Sequence, residues 1–257
     1  MTDITSLQNP RVKQIVKLRD DRKQRQREGL MLVEGHDEIS LALEAGHRPR
    51  TLLTAPELVR RPMDVDAAET LTVSPAVFEK MSYRENPDGW LALFPIPHTA
   101  LDDLKLSPSP FIIVAESVEK PGNLGAILRT ADAAHVDAVL VCNPHVDSYS
   151  PNVVRASRGT IFTVPVVETN NDQALTYLQQ RGIRVLAATP SAEAVYTRQD
   201  LRVPLAVAVG TEDEGLTDFW MDQADMKVLI PMMGKVNSLN VSIATALIVY
   251  EAVRQRS

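Results

Sequence analysis

The sequence has little cysteine and no long apolar run. Cys142 is the single cysteine among the 257 residues, which excludes an internal disulfide and a metal site built from several thiolates. No uninterrupted apolar stretch reaches the ~18 residues that a membrane-spanning helix needs. The N-terminal residues MTDITSLQNPR contain no apolar signal core. We therefore expect a protein of the reducing cytoplasm that does not cross a membrane.

Several catalytic and nucleotide-binding motifs are also missing. The histidines show no HExxH or similar spacing, so the sequence predicts no metal site. The G-x-S-x-G turn of serine hydrolases is absent. The GK[ST] phosphate loop and the G-x-G-x-x-G dinucleotide fingerprint are absent as well. The missing fingerprint disfavours a nicotinamide-dependent oxidoreductase.

Charge is unevenly distributed along the chain. The net charge of the chain is -6. Residues 11–27 contain eight basic and two acidic residues, so this segment has a net charge of +6 and the remainder has a net charge of -12. A local basic stretch binds phosphates even on an acidic protein. A solvated helix face explains the same charges equally well, so charge alone leaves both interpretations open.

The order of predicted elements divides the chain in two. Asn9 and Pro10 are typical of an N-cap and a first helical residue, and the basic helix behind them is predicted to run to about Gln26. Further strands are predicted at 30–33, 51–54 and 90–94, and helices at 36–45 and 75–81. Residues 1–97 are therefore expected to form a small α/β domain. Four prolines between positions 95 and 110 predict a linker at residues 98–109.

Residues 110–257 show a regular alternation of apolar strands and helices. Strands are predicted at 111–115, 138–141, 162–167, 185–188, 205–209 and 228–231, and helices at 124–134, 151–157, 172–180, 218–221 and 238–254. This alternation favours an α/β domain whose parallel sheet is covered on both faces. Ligands of such sheets bind at the carboxyl ends of the strands. Polar clusters follow three of the strands, at residues 120–129, 211–215 and 232–240.

The first polar cluster combines glycines with an arginine. Gly122 and Gly125 allow a ligand to approach the backbone, and the N-terminus of the following helix offers unpaired N–H groups to an anion. Arg129 carries a guanidinium that can grip a phosphate or a carboxylate as a fork. A surface arginine on an amphipathic helix remains the alternative interpretation.

The other two clusters add an acid and two polar side chains. Gly210 ends a buried strand, where a side chain would crowd a ligand lying over the sheet edge. Glu212 is the first acid beyond it, suited to binding a ligand hydroxyl or orienting an arginine. The adjacent acids 212–214 also suit magnesium, although a solvated loop is the simpler interpretation. Ser238 and Asn240 begin a largely apolar helix, where they can bind a ligand or act only as caps.

Three ordered motifs resemble one known family. They are PGNLGAILRTADA at Pro121–Ala133, VGTEDEGL at Val209–Leu216 and IPMMGKVNSLNVSIATAL at Ile230–Leu247. Together they resemble the SpoU (TrmH-type) RNA ribose 2′-O-methyltransferases of the SPOUT class. Residues 1–95 resemble, more loosely, the N-terminal substrate-binding domain of that family, which is similar to small ribosomal RNA-binding proteins.

The resemblance implies a fold and a set of functional residues. The expected methyltransferase domain spans residues 110–257, contains a C-terminal trefoil knot and forms a homodimer with active sites at the subunit interface. S-adenosylmethionine would lie in the knot. The implied cofactor-binding residues are Gly210, Ile230 and Leu239. The implied catalytic residues are Asn123, Arg129, Glu212, Ser238 and Asn240. The basic helix would contact RNA phosphates through Arg11, Lys13, Lys17, Arg22 and Lys23.

The implied reaction methylates a ribose 2′-hydroxyl in structured RNA, with large-subunit rRNA preferred as substrate. Arg129 matches the proposed general base of the family, but a guanidinium has a pKa above ~12. We therefore favour positioning and charge stabilisation as its role. Lys120 occupies a position where many relatives carry Asp. Methylation of tRNA, or a non-catalytic RNA-binding or assembly role on the same fold, remains an alternative.

Overall fold

The structure is a computed structural model that describes residues 2–257. By its contacts the chain divides into two compact units. The first contains the residues up to Pro97 together with Tyr149–Thr163, and the second contains His98–Ser148 and Val164–Ser257. None of the helices in the described part of the chain has the length and apolar content of a membrane span.

The first unit is built on a five-stranded mixed sheet. Its strands are β1 (Thr2–Ile4), β2 (Leu30–Glu34), β3 (Thr51–Thr54), β4 (Glu69–Val73) and β5 (Trp90–Pro95), and its first four helices are α1 (Pro10–Asp20), α2 (Arg22–Glu28), α3 (His36–Glu44) and α4 (Pro75–Met81). The strand order is β1-β4-β3-β5-β2. The strands β1, β4 and β3 run parallel, whereas β5 is antiparallel to both β3 and β2.

The basic helix predicted to reach Gln26 is interrupted at Asp21. Asp21 has an extended backbone, and its side chain accepts a hydrogen bond from the Lys23 N–H, so it caps a second helix. The guanidinium of Arg25 donates to the carbonyls of Leu18 and Arg19 at the end of α1. The cap and the buried arginine together explain why two short helices replace one long one.

Tyr149–Thr163, the second stretch of the first unit, lies within the range 110–257 that the sequence assigned to the parallel-sheet domain. It contains α6 (Pro151–Ala156), which packs on β2, and a 3₁₀ turn at Thr160–Phe162, which packs on α3. The predicted strand 162–167 is therefore wrong at its start, because Phe162 lies 5.1 Å from the ring of Phe94 instead of extending a strand. An apolar residue in a packed turn and one in a buried strand look alike in sequence.

The second unit confirms the predicted α/β domain with a parallel sheet. Its strands are β6 (Phe111–Glu116), β7 (Ala138–Cys142), β8 (Val166–Thr169), β9 (Arg184–Ala188), β10 (Leu205–Val209) and β11 (Met226–Val228), and its helices are α5 (Pro121–Ala133), α7 (Asn171–Gln180), α8 (Asp218–Gln223) and α9 (Val241–Arg256). All pairings in the order β11-β9-β10-β6-β7-β8 are parallel.

The neighbouring strands β6 and β10 mark where the winding of the sheet changes direction. From β6 the chain proceeds to β7 and β8 on one side, and β9 to β11 lie on the other. Parallel sheets bind ligands at such a switch point, beyond the carboxyl ends of the strands. The helix α5 follows β6 and contacts α9, so the predicted polar clusters converge on this edge.

Residues 98–109 belong to the second unit instead of forming a free linker. Leu101, Leu104 and Leu106 pack against the core of the second unit. The backbone N–H and hydroxyl of Ser107 both donate to the carboxylate of Asp137. The prolines of this segment therefore mark an extended chain that is attached to the sheet domain.

A buried polar network fixes the region behind the switch point. The fully buried carboxylate of Glu116 accepts hydrogen bonds from the Asn171 amide at 2.6 Å, the Thr217 hydroxyl at 2.7 Å and the Thr217 N–H at 2.9 Å. The Trp220 indole N–H donates to the Asn171 carbonyl oxygen at 3.0 Å. The network joins the end of β6 to α7 and α8, and satisfies a carboxylate that would be costly to bury unpaired.

Cys142 lies in the core beside this network. Burial, and secondarily the negative charge of Glu116, raises the pKa of its thiol to about 12. The thiol is therefore protonated and unreactive at neutral pH. Cys142 acts as a small core residue, as predicted.

Candidate active site

Three polar segments that are far apart in sequence meet at the carboxyl ends of β6 and β10. The carboxylate oxygen Oε1 of Glu212 accepts hydrogen bonds from the Asn123 amide at 2.7 Å and the Asn240 amide at 2.5 Å. The Asn240 amide also donates to the Asn123 carbonyl oxygen at 3.1 Å. The start of α5, the loop after β10 and the start of α9 are thus joined through one carboxylate.

The second oxygen of Glu212 has a different partner. The ammonium of Lys120 forms an ion pair with Oε2. Lys120, followed by Asn123, holds the pKa of Glu212 below its usual range. Glu212 is therefore a carboxylate at neutral pH, with both oxygens engaged by groups of this chain.

Asn240 serves both as a helix cap and as a member of the cluster. Its side-chain oxygen accepts from the Ser242 N–H at 3.0 Å and the Ser242 hydroxyl at 2.6 Å, which caps α9. Its amide nitrogen points to Glu212 and Asn123. The helix predicted to begin at Ser238 begins at Val241, so Ser238 lies in the preceding loop and is exposed.

A cavity of about 470 Å³ lies beside this cluster within the second unit. Its volume is within the range of ~300–1,000 Å³ that small-molecule sites commonly occupy. The lining residues that the sequence had predicted as functional are Gly210, Glu212, Ile230, Ser238 and Leu239. The structure therefore brings the three implied cofactor residues and two of the implied catalytic residues to one cavity.

Gly210 is required by the chain itself. A Cβ atom on Gly210 would overlap the backbone of Gly215 and Leu216. These residues are close because the Thr211 N–H donates to the Gly215 carbonyl at 2.9 Å, which closes a tight loop. We had expected a side chain at Gly210 to crowd a bound ligand, but the first collision is with this loop.

Arg129 is a predicted catalytic residue that neither joins the cluster nor lines the cavity, whereas Ser238, which also stands outside the cluster, lines the cavity. In an α-helix, six residues correspond to about 9 Å of rise and about 240° of rotation, so Arg129 and Asn123 lie on different faces of α5. Asn123 is buried and Arg129 is exposed. Within residues 2–257 the Arg129 side chain makes no hydrogen bond or ion pair. The expected contact between Glu212 and Arg129 is not formed in a single chain.

Residues that follow β9 also line the cavity, and no sequence pattern predicted them. Thr189 and Ser191 belong to the lining, and their hydroxyl oxygens are 2.9 Å apart. Their strand lies between β10 and β11 in the sheet. Only a topology placing β9 next to β10 identifies them, because the segment AATPS matches no binding motif.

Some basic residues of the first unit are bound within the fold, whereas others are exposed to solvent. Arg19 donates to the carbonyls of Lys80 and Ser82, and the buried Arg25 has a similar structural role. Of the residues predicted to bind RNA, Arg11 is paired with Glu69 and Arg22 is half-buried. The remaining three are exposed and carry ammonium groups: Lys13, Lys17 and Lys23.

Residues 2–257 contain no group of three or more His, Cys, Asp or Glu side chains arranged to hold a metal ion. In particular, the acidic run 212–214 does not form such a group. The carboxylate of Glu212 is bound by the Lys120 ammonium and two side-chain amides, whereas Asp213 and Glu214 are exposed.

Comparison with known families finds two matches that together span most of the chain. The profile described as SpoU rRNA Methylase family matches residues 110–250. The profile described as MRM3-like substrate binding domain matches residues 9–92.

Two similar proteins align over nearly the whole chain. An uncharacterized tRNA/rRNA methyltransferase of Synechocystis is 33% identical over 100% of this chain and 95% of its own length. The 23S rRNA (guanosine(2553)-2'-O)-methyltransferase RlmP of Bacillus subtilis is 29% identical over 97% of this chain and 98% of its own length.

Solved structures give the same result. A crystal structure of an RNA 2'-O ribose methyltransferase is 42% identical, covers 99% of both chains and has a TM-score of 0.86. The SpoU methyltransferase AviRb of Streptomyces viridochromogenes, in complex with AdoMet, is 29% identical with a TM-score of 0.88, and covers 97% of this chain and 98% of its own.

The collision at Gly210 leads to a stability prediction. We expect Gly210→Ala to lower the free energy of unfolding by about 2 kcal/mol or more, since overpacking against backbone typically costs ~1–3 kcal/mol. Gly122→Ala is the matched control, because nothing lies within 4 Å of a Cβ atom at that position. Urea denaturation of both variants measures the difference. Equal stability of the two variants would contradict the tight loop at residues 211–215.

Proposed function

Because the chain belongs to the SpoU rRNA methylase family, we propose that it transfers a methyl group from S-adenosylmethionine to a ribose 2′-hydroxyl of RNA. The observation that carries this proposal is the Asn123–Glu212–Asn240 cluster beside a cavity of about 470 Å³. The similar SpoU methyltransferase AviRb and an rRNA methyltransferase of Sinorhizobium meliloti were solved with AdoMet bound. An intact polar cluster also argues against a purely non-catalytic RNA-binding role.

The cavity suits the proposed cofactor. Gly210, Ile230 and Leu239 lie in its lining. We propose that they hold the cofactor through backbone groups, which would explain why the sequence carries no dinucleotide fingerprint. When bound, S-adenosylmethionine supplies a methyl group already activated by its sulfonium. The remaining task of the protein is to align the ribose oxygen and assist loss of the hydroxyl proton.

Arg129 is assigned a positioning and charge-stabilising role. Its guanidinium is a planar cationic fork, so it grips an RNA phosphate and stabilises the developing alkoxide. Glu212 keeps the cluster in place, since both of its oxygens are engaged. Asn123 and Asn240 hold the start of α5 and α9, and Ser238 orders the loop beside the cavity.

Large-subunit rRNA is the proposed substrate. The B. subtilis 23S rRNA enzyme aligns over both units of this chain. By contrast, a TrmH/SpoU tRNA modifying enzyme of A. aeolicus covers 60% of this chain with a TM-score of 0.50. The 23S rRNA enzymes among the similar proteins, which align over 97% or 57% of this chain, favour rRNA over tRNA. We propose the cytoplasm as its location, because rRNA is the proposed substrate.

The exposed lysines of the first unit are proposed to contact RNA phosphates. Lys13 and Lys17 are separated by one turn of α1, and Lys23 lies on α2. Arg11 and Arg22 are assigned a smaller share, because Arg11 is already paired with Glu69 and Arg22 is half-buried.

The exposed face of α9 supports the proposed homodimer. Ile243, Leu247 and Tyr250 are 52%, 39% and 48% exposed, and their spacing places them on one face of the helix. An apolar stripe of this kind on a terminal helix suits an isologous contact. A partner on this face would also approach α5, which carries the unpartnered Arg129.

The trefoil knot expected from the family is retained in this proposal. It is supported by one arrangement: the loop after β10 and the segment between β11 and α9 line the same cavity.

Complementation tests the proposed reaction and the role of Arg129. In cells that lack the gene, we expect the wild-type protein to restore a 2′-O-methyl group on rRNA and Arg129→Lys to lose at least about 10-fold in turnover, because Lys lacks the fork. Calorimetry with S-adenosylmethionine is expected to give the same affinity for both. The exposed Arg198 supplies the control variant Arg198→Lys. Near-normal methylation by Arg129→Lys would contradict the proposed role of Arg129. If the restored methyl group were found on tRNA alone, tRNA would replace rRNA as the proposed substrate.

Charge neutralisation tests the basic surface. We expect the triple variant Lys13→Gln/Lys17→Gln/Lys23→Gln to bind RNA more weakly. The slope of the logarithm of the RNA association constant against the logarithm of the salt concentration should fall in magnitude by about one for each lost phosphate contact. Affinity for S-adenosylmethionine stays unchanged. A control with the same charge change in the second unit uses the exposed residues Arg184, Arg198 and Lys227. Equal RNA affinity of the two triple variants would refute a specific role for the basic helices.

Sedimentation tests the dimer. We expect Leu247→Glu to shift the protein from dimer to monomer and to reduce methylation, because a charge would be buried at the contact. Leu7→Glu is the control, since Leu7 has nearly the same exposure, 40% against 39%. A wild-type protein that sediments as a monomer at micromolar concentration would disprove the proposed interface.

A further inference from the structure

Lys120 stands in a position that ordinary helix capping disfavours. It occupies the N-cap of α5, where its side chain makes no capping hydrogen bond. Side chains that accept hydrogen bonds are preferred there, and a cation is repelled by the positive end of the helix dipole. A residue that violates a local preference points to a role elsewhere.

The side chain of Lys120 crosses to the loop after β10. Its ammonium forms an ion pair with Oε2 of Glu212, while Oε1 receives the amides of Asn123 and Asn240. The two oxygens of the carboxylate therefore have different partners: one faces the cation and the other faces both amides. Without the cation, the carboxylate could rotate and lose one of its two amide donors.

The different partners of the two Glu212 oxygens affect the start of α9. The Asn240 amide is held by Glu212 and Asn123, and this fixes the side-chain oxygen that caps α9 through Ser242. The residues flanking Asn240, Leu239 and Val241, line the cavity. A contact at the start of α5 thereby sets the position of the cavity wall on α9.

We propose that Lys120 is a positioning residue of the methyl-transfer site, which fixes the Glu212 carboxylate so that it holds the start of α9 against the cavity. The inference rests on the proposed function, because turnover is its main readout. Lys120 does not touch the reacting atoms. It acts through Glu212.

The charges around the pair give the proposal a pH signature. Lys120 is the largest cause of the lowered pKa of Glu212, and Asp213 and Glu119 are the other charged groups that act on Lys120. The cluster in its charged form persists until the pH falls through this lowered pKa. Removing Lys120 raises the pKa of Glu212 toward its ordinary value. As the pH is lowered, the variant therefore loses activity at a higher pH than the wild type does.

Three substitutions of Lys120 separate positioning from other roles. We expect Lys120→Met to lower kcat about 5-fold and to move the acid limb of the kcat profile to higher pH. Lys120→Glu moves that limb further, because two neighbouring carboxylates raise the pKa of each other. Lys120→Arg keeps the cation and restores most of kcat.

The assay uses the full-length protein, transcribed 23S rRNA and labelled S-adenosylmethionine. Lys227→Met is the matched control, since Lys227 is an exposed lysine on β11. Unchanged kcat and pH profile in Lys120→Met would overturn the proposal, as would equal losses in Lys120→Met and Lys120→Arg. A raised KM for RNA with normal kcat would overturn it in favour of a phosphate contact. Absence of methylation by the wild type refutes the proposed function instead.

Discussion

The carboxylate of Glu212 joins the three chain segments on which the candidate site depends. It accepts amides from α5 and α9 and faces the ammonium of Lys120. Two of these groups, the amides of Asn123 and Asn240, are 117 positions apart in the sequence. The cavity wall depends on the same contacts, because Glu212 itself and the residues flanking Asn240 line it. A charge-assisted hydrogen bond is stronger than a neutral one, so a carboxylate suits this junction better than an amide.

The backbone behind Glu212 is constrained as tightly as its side chain. Gly210 lies against the loop that closes at Gly215, so no side chain fits there. On the other side, the buried Glu116 holds Thr217 at the start of α8. The loop 211–216 is therefore fixed at both ends, which places Glu212 within reach of both amides. Catalytic groups on loops need such support, because a small displacement weakens alignment of the reacting atoms.

Local patterns predicted most elements but failed where packing overrode them. The apolar strands of the second unit were found because buried parallel strands are continuous apolar runs. The basic helix was predicted as one because its composition favours helix throughout, whereas the cap at Asp21 and the carbonyl contacts of Arg25 divide it. Phe162 was placed in a strand because the run around it is apolar. It packs on Phe94 instead, and its segment belongs to the first unit.

The sequence by itself determined the family, the parallel α/β domain and the identity of the clustered side chains, because motif order and apolar periodicity are written along the chain. The tertiary structure decided which of those side chains meet. It joined Asn123, Glu212 and Asn240, left Arg129 exposed on another face of α5, and added Thr189 and Ser191 to the cavity. It also gave Lys120 a partner that no spacing rule indicates. These outcomes depend on which strands are neighbours and on helix rotation, and neither is encoded by residues close together in sequence.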